Sequence, residues 1–153
     1  MAKERGSLEL ILWRHADAED GHPDTARALT ARGRRQADSM ARWLSKRLPK
    51  DYRMIVSPAT RAQQTARALS NDFETVARVG VNAEPAGVLA AAGWDDAEGT
   101  VVVVGHQPTL GRVAALLMTG AADGWIIKKG AIWWLSRNSE GVRLLAAIPP
   151  DMV

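Results

Sequence analysis

The feature that most constrains this chain is the run Val101 to Val104, four consecutive valines with no polar alternation. A strand of that kind is buried on both faces, which is the condition of a central strand in a parallel sheet covered by helices on either side. A second largely apolar run, Leu8 to Trp13, has the same character and ends directly in Arg14-His15. The valine run ends in Gly105-His106-Gln107-Pro108. In open α/β sheets ligands bind beyond the carboxyl ends of the strands, so both endings mark places where chemistry is expected.

Short apolar runs alternate with helical patterns along the rest of the chain, which argues for strands and crossover helices rather than a sandwich. Strands are expected near Leu8 to Trp13, Arg53 to Val56, Val76 to Val81, Thr100 to Val104, Ala131 to Leu135 and Arg143 to Ile148. Thr30 can cap a helix whose apolar stripe is Ala37, Met40, Ala41, Leu44 and Leu48, with Pro49 ending it. A second helix follows Ser57-Pro58 over about 59–70, a short one covers the alanine-rich stretch 86–92, and Pro108 suits the first turn of another. The tail, with a polar turn at 138–141, reads as a hairpin that closes the sheet. The expected architecture is a three-layer α/β/α fold with a mostly parallel central sheet flanked by helices. A chain of 153 residues is the size of one such domain, so 1–153 is read as a single unit.

Composition removes several chemistries. Without cysteine there is no thiolate nucleophile, disulfide or thiolate metal site. No apolar stretch is long enough for a membrane span, and residues 1–6 place no apolar core behind their charges, so a cytoplasmic location is expected. The net charge of +3 is spread over arginines and lysines such as Arg32, Arg34, Arg35, Lys46, Arg47 and Lys50 without aromatic interleaving. That pattern reads as a solvated surface rather than a nucleic-acid patch, while leaving a preference for anionic substrates open.

Three polar signals stand just past three expected strands: Arg14-His15, Arg61 and His106. Parallel strands point their carboxyl ends the same way, so these side chains can converge into an anion pocket of two arginines and two histidines. A guanidinium holds phosphate oxygens through paired donors and keeps its charge at any working pH. One histidine can act as nucleophile while the other donates to the phosphoryl group or stabilises its charge. The scheme calls for no metal and no cofactor.

At this point the chain resembles the histidine phosphatase, or phosphoglycerate mutase-like, superfamily, and most of all its small SixA-type phosphohistidine phosphatases. The resemblance is carried by Leu12-Trp13-Arg14-His15-Ala16-Asp17-Ala18, by Arg27-Ala28-Leu29-Thr30-Ala31-Arg32-Gly33, by Ser57-Pro58-Ala59-Thr60-Arg61-Ala62-Gln63-Gln64-Thr65-Ala66, and by Val104-Gly105-His106-Gln107-Pro108. It implies that His15 attacks phosphorus and is transiently phosphorylated, with Arg14, Arg61 and His106 around the phosphoryl oxygens. Gln107, at a helix start, adds a backbone N–H, and Arg27 reaches the incoming substrate or pairs with Asp24 or Asp20.

Many members supply a general acid as a carboxylate between the second helix and the central strand, where this chain offers only Glu84. An alkoxide leaving group needs that proton, whereas the nitrogen of a phosphoramidate can leave already protonated. The expected substrate is therefore phosphohistidine on a partner protein. A small phosphoester phosphatase or mutase, and a non-catalytic phosphate-binding module, are the alternatives. Asp17 and Glu19 are expected to shape the loop after His15, His22 to lie in a surface turn, and Lys128 and Lys129 to face solvent or the phosphate mouth. Trp13, Trp43, Trp133 and Trp134 belong to the packing, leaving Trp94 and Trp125 as candidates for a partner surface.

Overall fold

Strand alternation decides the layering of this protein, seen in a computed structural model that describes residues 6–153. The amino-terminal segment read above for a leader lies, at 1–5, outside the described residues. Strand β1 (Leu8–Arg14) points Leu8, Leu10 and Leu12 into one apolar cluster and Ile11 and Trp13 into another on the opposite side. Strand β4 (Gly99–Gly105) does the same with Val101 and Val103 against Val102 and Val104. Both faces are buried, which is why the run carries no polar alternation.

The first cluster is covered by helices α3 (Pro85–Ala92) and α4 (Thr109–Thr119), and the second by α1 (Ala31–Ser45) and α2 (Thr60–Arg67). Three layers result. With β2 (Arg53–Val56), β3 (Glu74–Thr75), β5 (Ile132–Asn138) and β6 (Gly141–Ile148), the sheet has the order β3-β2-β4-β1-β5-β6. The first four strands run parallel, and the β5–β6 hairpin adds antiparallel to β1.

Helix α1 starts as its sequence dictates: Thr30 Oγ1 accepts the Gly33 N–H at 2.9 Å, and Ala37, Met40, Ala41 and Leu44 form the buried stripe. It ends at Ser45 rather than running to Pro49, and Leu48 continues the stripe from the following turn. The strand expected at Val76 to Val81 does not form. The chain pairs briefly with β2 at Glu74–Thr75 and then makes a 3₁₀ turn over Ala77–Val79. Val76 and Val79 are three residues apart, so a turn brings both toward the core while a strand would send them to opposite faces.

The parallel register brings three strand ends together. Arg14 lies opposite Gly105 and Val56 opposite Val104. Past those positions the His15 N–H donates to the Gly105 carbonyl and the Ser57 N–H to the Val104 carbonyl, both at 3.0 Å. A loop over 19–28, closed by the Glu19 N–H on the Ala28 carbonyl at 2.8 Å, arches beside this edge.

Candidate active site

His15, Arg61 and His106 meet beyond the carboxyl ends of β1, β2 and β4, as the strand-end reasoning requires. All three are buried, with 6%, 4% and 3% of their surfaces exposed. The two imidazole centroids are 5.2 Å apart and Arg61 bridges them. Its Nε donates to His15 Nε2 at 3.3 Å and its Nη2 lies 3.4 Å from His106 Nδ1.

The hydrogen-bond chemistry fixes the tautomer of His15. Its Nδ1 faces the Ala16 carbonyl at 2.8 Å, an atom that can only accept, so Nδ1 carries the proton. Nε2 is left with its lone pair toward Arg61. By the same logic His106 Nδ1 accepts from Arg61, and Nε2–H donates to Ser57 Oγ at 2.7 Å. Burial pushes His15 down to about 3 and His106 to about 4, with nearby cations adding to the effect. Both rings are therefore neutral at physiological pH, and an unprotonated nitrogen is available as nucleophile.

The loop after His15 is held by side chains whose roles sequence reasoning did not assign. Thr65 Oγ1 accepts the Ala16 N–H at 3.0 Å and donates to the Arg61 carbonyl at 2.8 Å, tying the loop after His15 to helix α2. Gln36 accepts the Asp17 N–H at 2.9 Å. Ser57 was legible by position, since it follows β2 as His15 follows β1. Thr65 stands one turn beyond Arg61, on the same buried face of α2.

Arg14 makes no hydrogen bond to either imidazole among the described residues, though both feel its charge. Its Nη1 donates to the Ile127 carbonyl at 2.9 Å, and its buried Nε has no partner among the described residues. Burial and the charge of Arg61 both lower its pKa from the ordinary value. Two guanidiniums held this close with a spare donor form an environment that an anion relieves.

Among the described residues, the carboxylate bonded to this cluster is Asp24 rather than Glu84. Asp24, on the 19–28 loop, accepts Arg61 Nη2 at 3.1 Å, and its carbonyl accepts Arg61 Nη1 at 2.8 Å. The hydrogen bond from Arg61 holds the Asp24 carboxyl below the usual carboxylate range, so it stays ionised and has no proton to give at neutral pH. Glu84 is exposed at the start of α3 and has no bond to either catalytic-site histidine or to Arg61 among the described residues.

Of the two expected substrate contacts, Arg27 makes the ion pair: Nε bonds Asp24 Oδ1 at 3.1 Å and Nη1 the Glu19 carbonyl at 3.0 Å. The Gln107 side chain is turned to the Trp125 carbonyl and the Gly111 N–H, so its backbone N–H is what it can offer an anion. His22 is exposed, as its turn suggested. Asp17 shapes its loop by accepting Thr30 Oγ1 at 2.8 Å. Trp94 does not serve a partner surface: it is buried in the α3–α4 side of the core, with the Arg137 guanidinium 5.7 Å from its ring centre. Trp125 is half-buried against Trp133.

Comparison with known proteins gives a consistent result. The family model for the histidine phosphatase superfamily (branch 1) matches residues 10–85. Phosphohistidine phosphatase SixA of Escherichia coli (strain K12) is 28% identical over 122 residues, spanning 74% of this chain and 76% of its own. A candidate phosphohistidine phosphatase SixA from Nakamurella multipartitia superposes with a TM-score of 0.79 at 27% identity, over 96% of this chain and 99% of that one. The protein histidine phosphatase SixA complexed with tungstate gives a TM-score of 0.78 at 24% identity, over 94% and 97% of the two chains.

Proposed function

This chain belongs to the histidine phosphatase superfamily, in its small SixA-type branch, and from that premise we propose that it hydrolyses phosphohistidine on a partner protein through a phosphoryl group carried by His15. Phosphatase activity is the property its relatives support. The substrate and the residue roles are our reading, within which 1–153 acts as one catalytic domain in the cytoplasm.

In this mechanism His15 Nε2 attacks phosphorus while the bond from phosphorus to the substrate nitrogen breaks. The attacking ring gains positive charge, and its Nδ1–H, held by the Ala16 carbonyl, becomes a stronger donor. A phosphorylated imidazole whose other nitrogen is protonated leaves as a neutral ring, so no acid has to deliver a proton. Water then attacks phosphorus, His15 leaves as the same neutral tautomer, and phosphate carries away the water's remaining protons or releases them to solvent. Arg14, Arg61 and His106 surround the phosphoryl oxygens, the two guanidiniums supplying the charge neutralisation on which phosphoryl transfer depends while neutral His106 holds Arg61 in place, and Gln107 contributes its N–H.

The observation that carries the substrate choice is the state of Asp24. Among the described residues the carboxylate bonded to this site is Asp24, ionised by its pair with Arg61, and Glu84 makes no bond to His15, Arg61 or His106. A phosphoester's alkoxide would leave without a proton, whereas an imidazole does not need one.

The test compares a phosphohistidine peptide and phosphoramidate with phosphoserine and glycerol phosphate, alkyl esters whose leaving groups need a proton. The nitrogen-linked substrates are expected to turn over at least ~100-fold faster, and His15→Ala to lose at least ~1,000-fold on them. Undiminished phosphate release by His15→Ala would sink the mechanism. Preference for the esters, lost selectively in Glu84→Gln, would establish the small phosphoester reading instead.

A further inference from the structure

Beside the phosphate site lies an open cleft of about 380 Å³ to which Arg14 contributes, together with Arg32, Lys128 and Lys129. Asp17 and Asp151 also line it, so its cations outnumber its carboxylates by four to two. One ion pair forms within it, Lys129 Nζ to Asp17 Oδ1 at 3.2 Å. Arg32 and Lys128 make none among the described residues.

These cations are not loosely placed. The segment bearing Lys128 and Lys129 is bonded to the backbone of Arg14 and His15: the Gly130 N–H reaches both their carbonyls, at 3.1 and 3.0 Å, and the Arg14 N–H donates to Ala131. Arg14 Nη1 takes the Ile127 carbonyl, and Trp13 Nε1 takes that of Gly130 at 3.1 Å. Arg32 stands in the first turn of α1, and that turn is pinned to the same loop through Thr30, whose N–H and hydroxyl both meet Asp17. Gly33 lets the turn come this close, since a Cβ there would overlap the Asp17 carbonyl.

We infer that this cleft is a docking site for acidic side chains flanking the phosphorylated histidine of a protein substrate, an inference that rests on the phosphohistidine reading above. The charge excess is complementary to aspartate and glutamate, and its rigid link to His15 lets it set the register of a bound segment. Ile126, 77% exposed at the rim, offers an apolar contact suited to a protein surface. A nucleic-acid backbone fits less well, because Asp17 and Asp151 would face its phosphates and no exposed aromatic lines the cleft to stack a base.

The experiment uses the full chain and three phosphohistidine peptides that differ only in flanking glutamates, alanines or lysines, with phosphoramidate as a flank-free substrate. The wild type is expected to favour the glutamate peptide over the lysine peptide by ~10-fold or more in kcat/KM at low salt, shrinking toward about 2-fold at 0.5 M salt. The R32E/K128E double variant is expected to reverse that order. Turnover of phosphoramidate with equal rates on all three peptides overturns the docking site while leaving the phosphohistidine reading intact. Failure on phosphoramidate and every peptide removes that reading itself. If flank preference is absent and a DNA oligonucleotide binds the wild type but not R32E/K128E, the surface is a nucleic-acid site and the inference falls.

Discussion

The floor and the rim of the site are built on opposite principles. At the floor, His15, Arg61 and His106 are buried and joined by hydrogen bonds whose partners allow one proton arrangement. At the rim, Arg32, Lys128 and Lys129 are exposed, and of the three Lys129 makes an ion pair, to Asp17. Burial makes the floor's charges expensive, so its imidazoles stay neutral and Arg61 is paired with Asp24. Solvent screens the rim, where charges are inexpensive to keep and each contributes little by itself. The difference teaches that a buried floor can fix protonation states, while an exposed rim can attract charge only weakly and at a distance.

Lowering the pH from 7.5 to 4.5 acts first on the floor, before the rim carboxylate Asp17, whose pKa is held low by Thr30 and Lys129, and has the largest expected effect. The folded values of His15 and His106, about 3 and about 4, lie below the ordinary 6.5, so the unfolded chain binds more protons in that window. Stability is fully present above pH 6.5 and is lost as pH falls toward 4, by roughly 2 kcal/mol per ring at pH 5. Denaturant midpoints measured from pH 7.5 to 4.5 check this. A flat profile would mean that the rings are not buried neutral.

Floor and rim are joined where α1 meets the Asp17 carbonyl, and a wedge at that joint should disturb both. Gly33→Ala is expected to cost about 2–3 kcal/mol in urea unfolding, because the new Cβ meets backbone that cannot step aside. Loss of less than half a kcal/mol would show that the joint is loose.

A smaller change separates positioning from binding within the floor. Ser57→Ala removes the acceptor of His106 Nε2–H, and kcat is expected to fall ~10-fold with KM within about 3-fold, since the ring loses its orientation but the arginines remain. Ser57→Thr should recover part of the loss. An effect confined to KM would assign Ser57 to substrate binding instead.

Much of this was legible because strand ends advertise themselves. Apolar runs leading into Arg14-His15 and His106 revealed both the parallel core and the residues at its edge, and helix α1 followed from Thr30 and its stripe. The strand expected at Val76 to Val81 failed because a spacing of three between valines serves a turn as well as an extended chain. Trp94 was misread for a related reason: loop-like neighbours said nothing of the Arg137 guanidinium that meets it from β5. Asp24 looked like a partner for Arg27 alone, and nothing local announced Arg61.

The sequence by itself determined the layered α/β fold and the gathering of His15, Arg61 and His106 at its strand ends, because these depend on hydrophobic period and on residues next to one another in the chain. Tertiary structure alone decided which nitrogen of His15 is free, that Asp24 is held ionised, and that the segment of Lys128 and Lys129 is bonded to the backbone of Arg14 and His15. Each of those outcomes is set by desolvation and hydrogen bonds between segments brought together only by folding, and burial and partner geometry fix proton positions and charge.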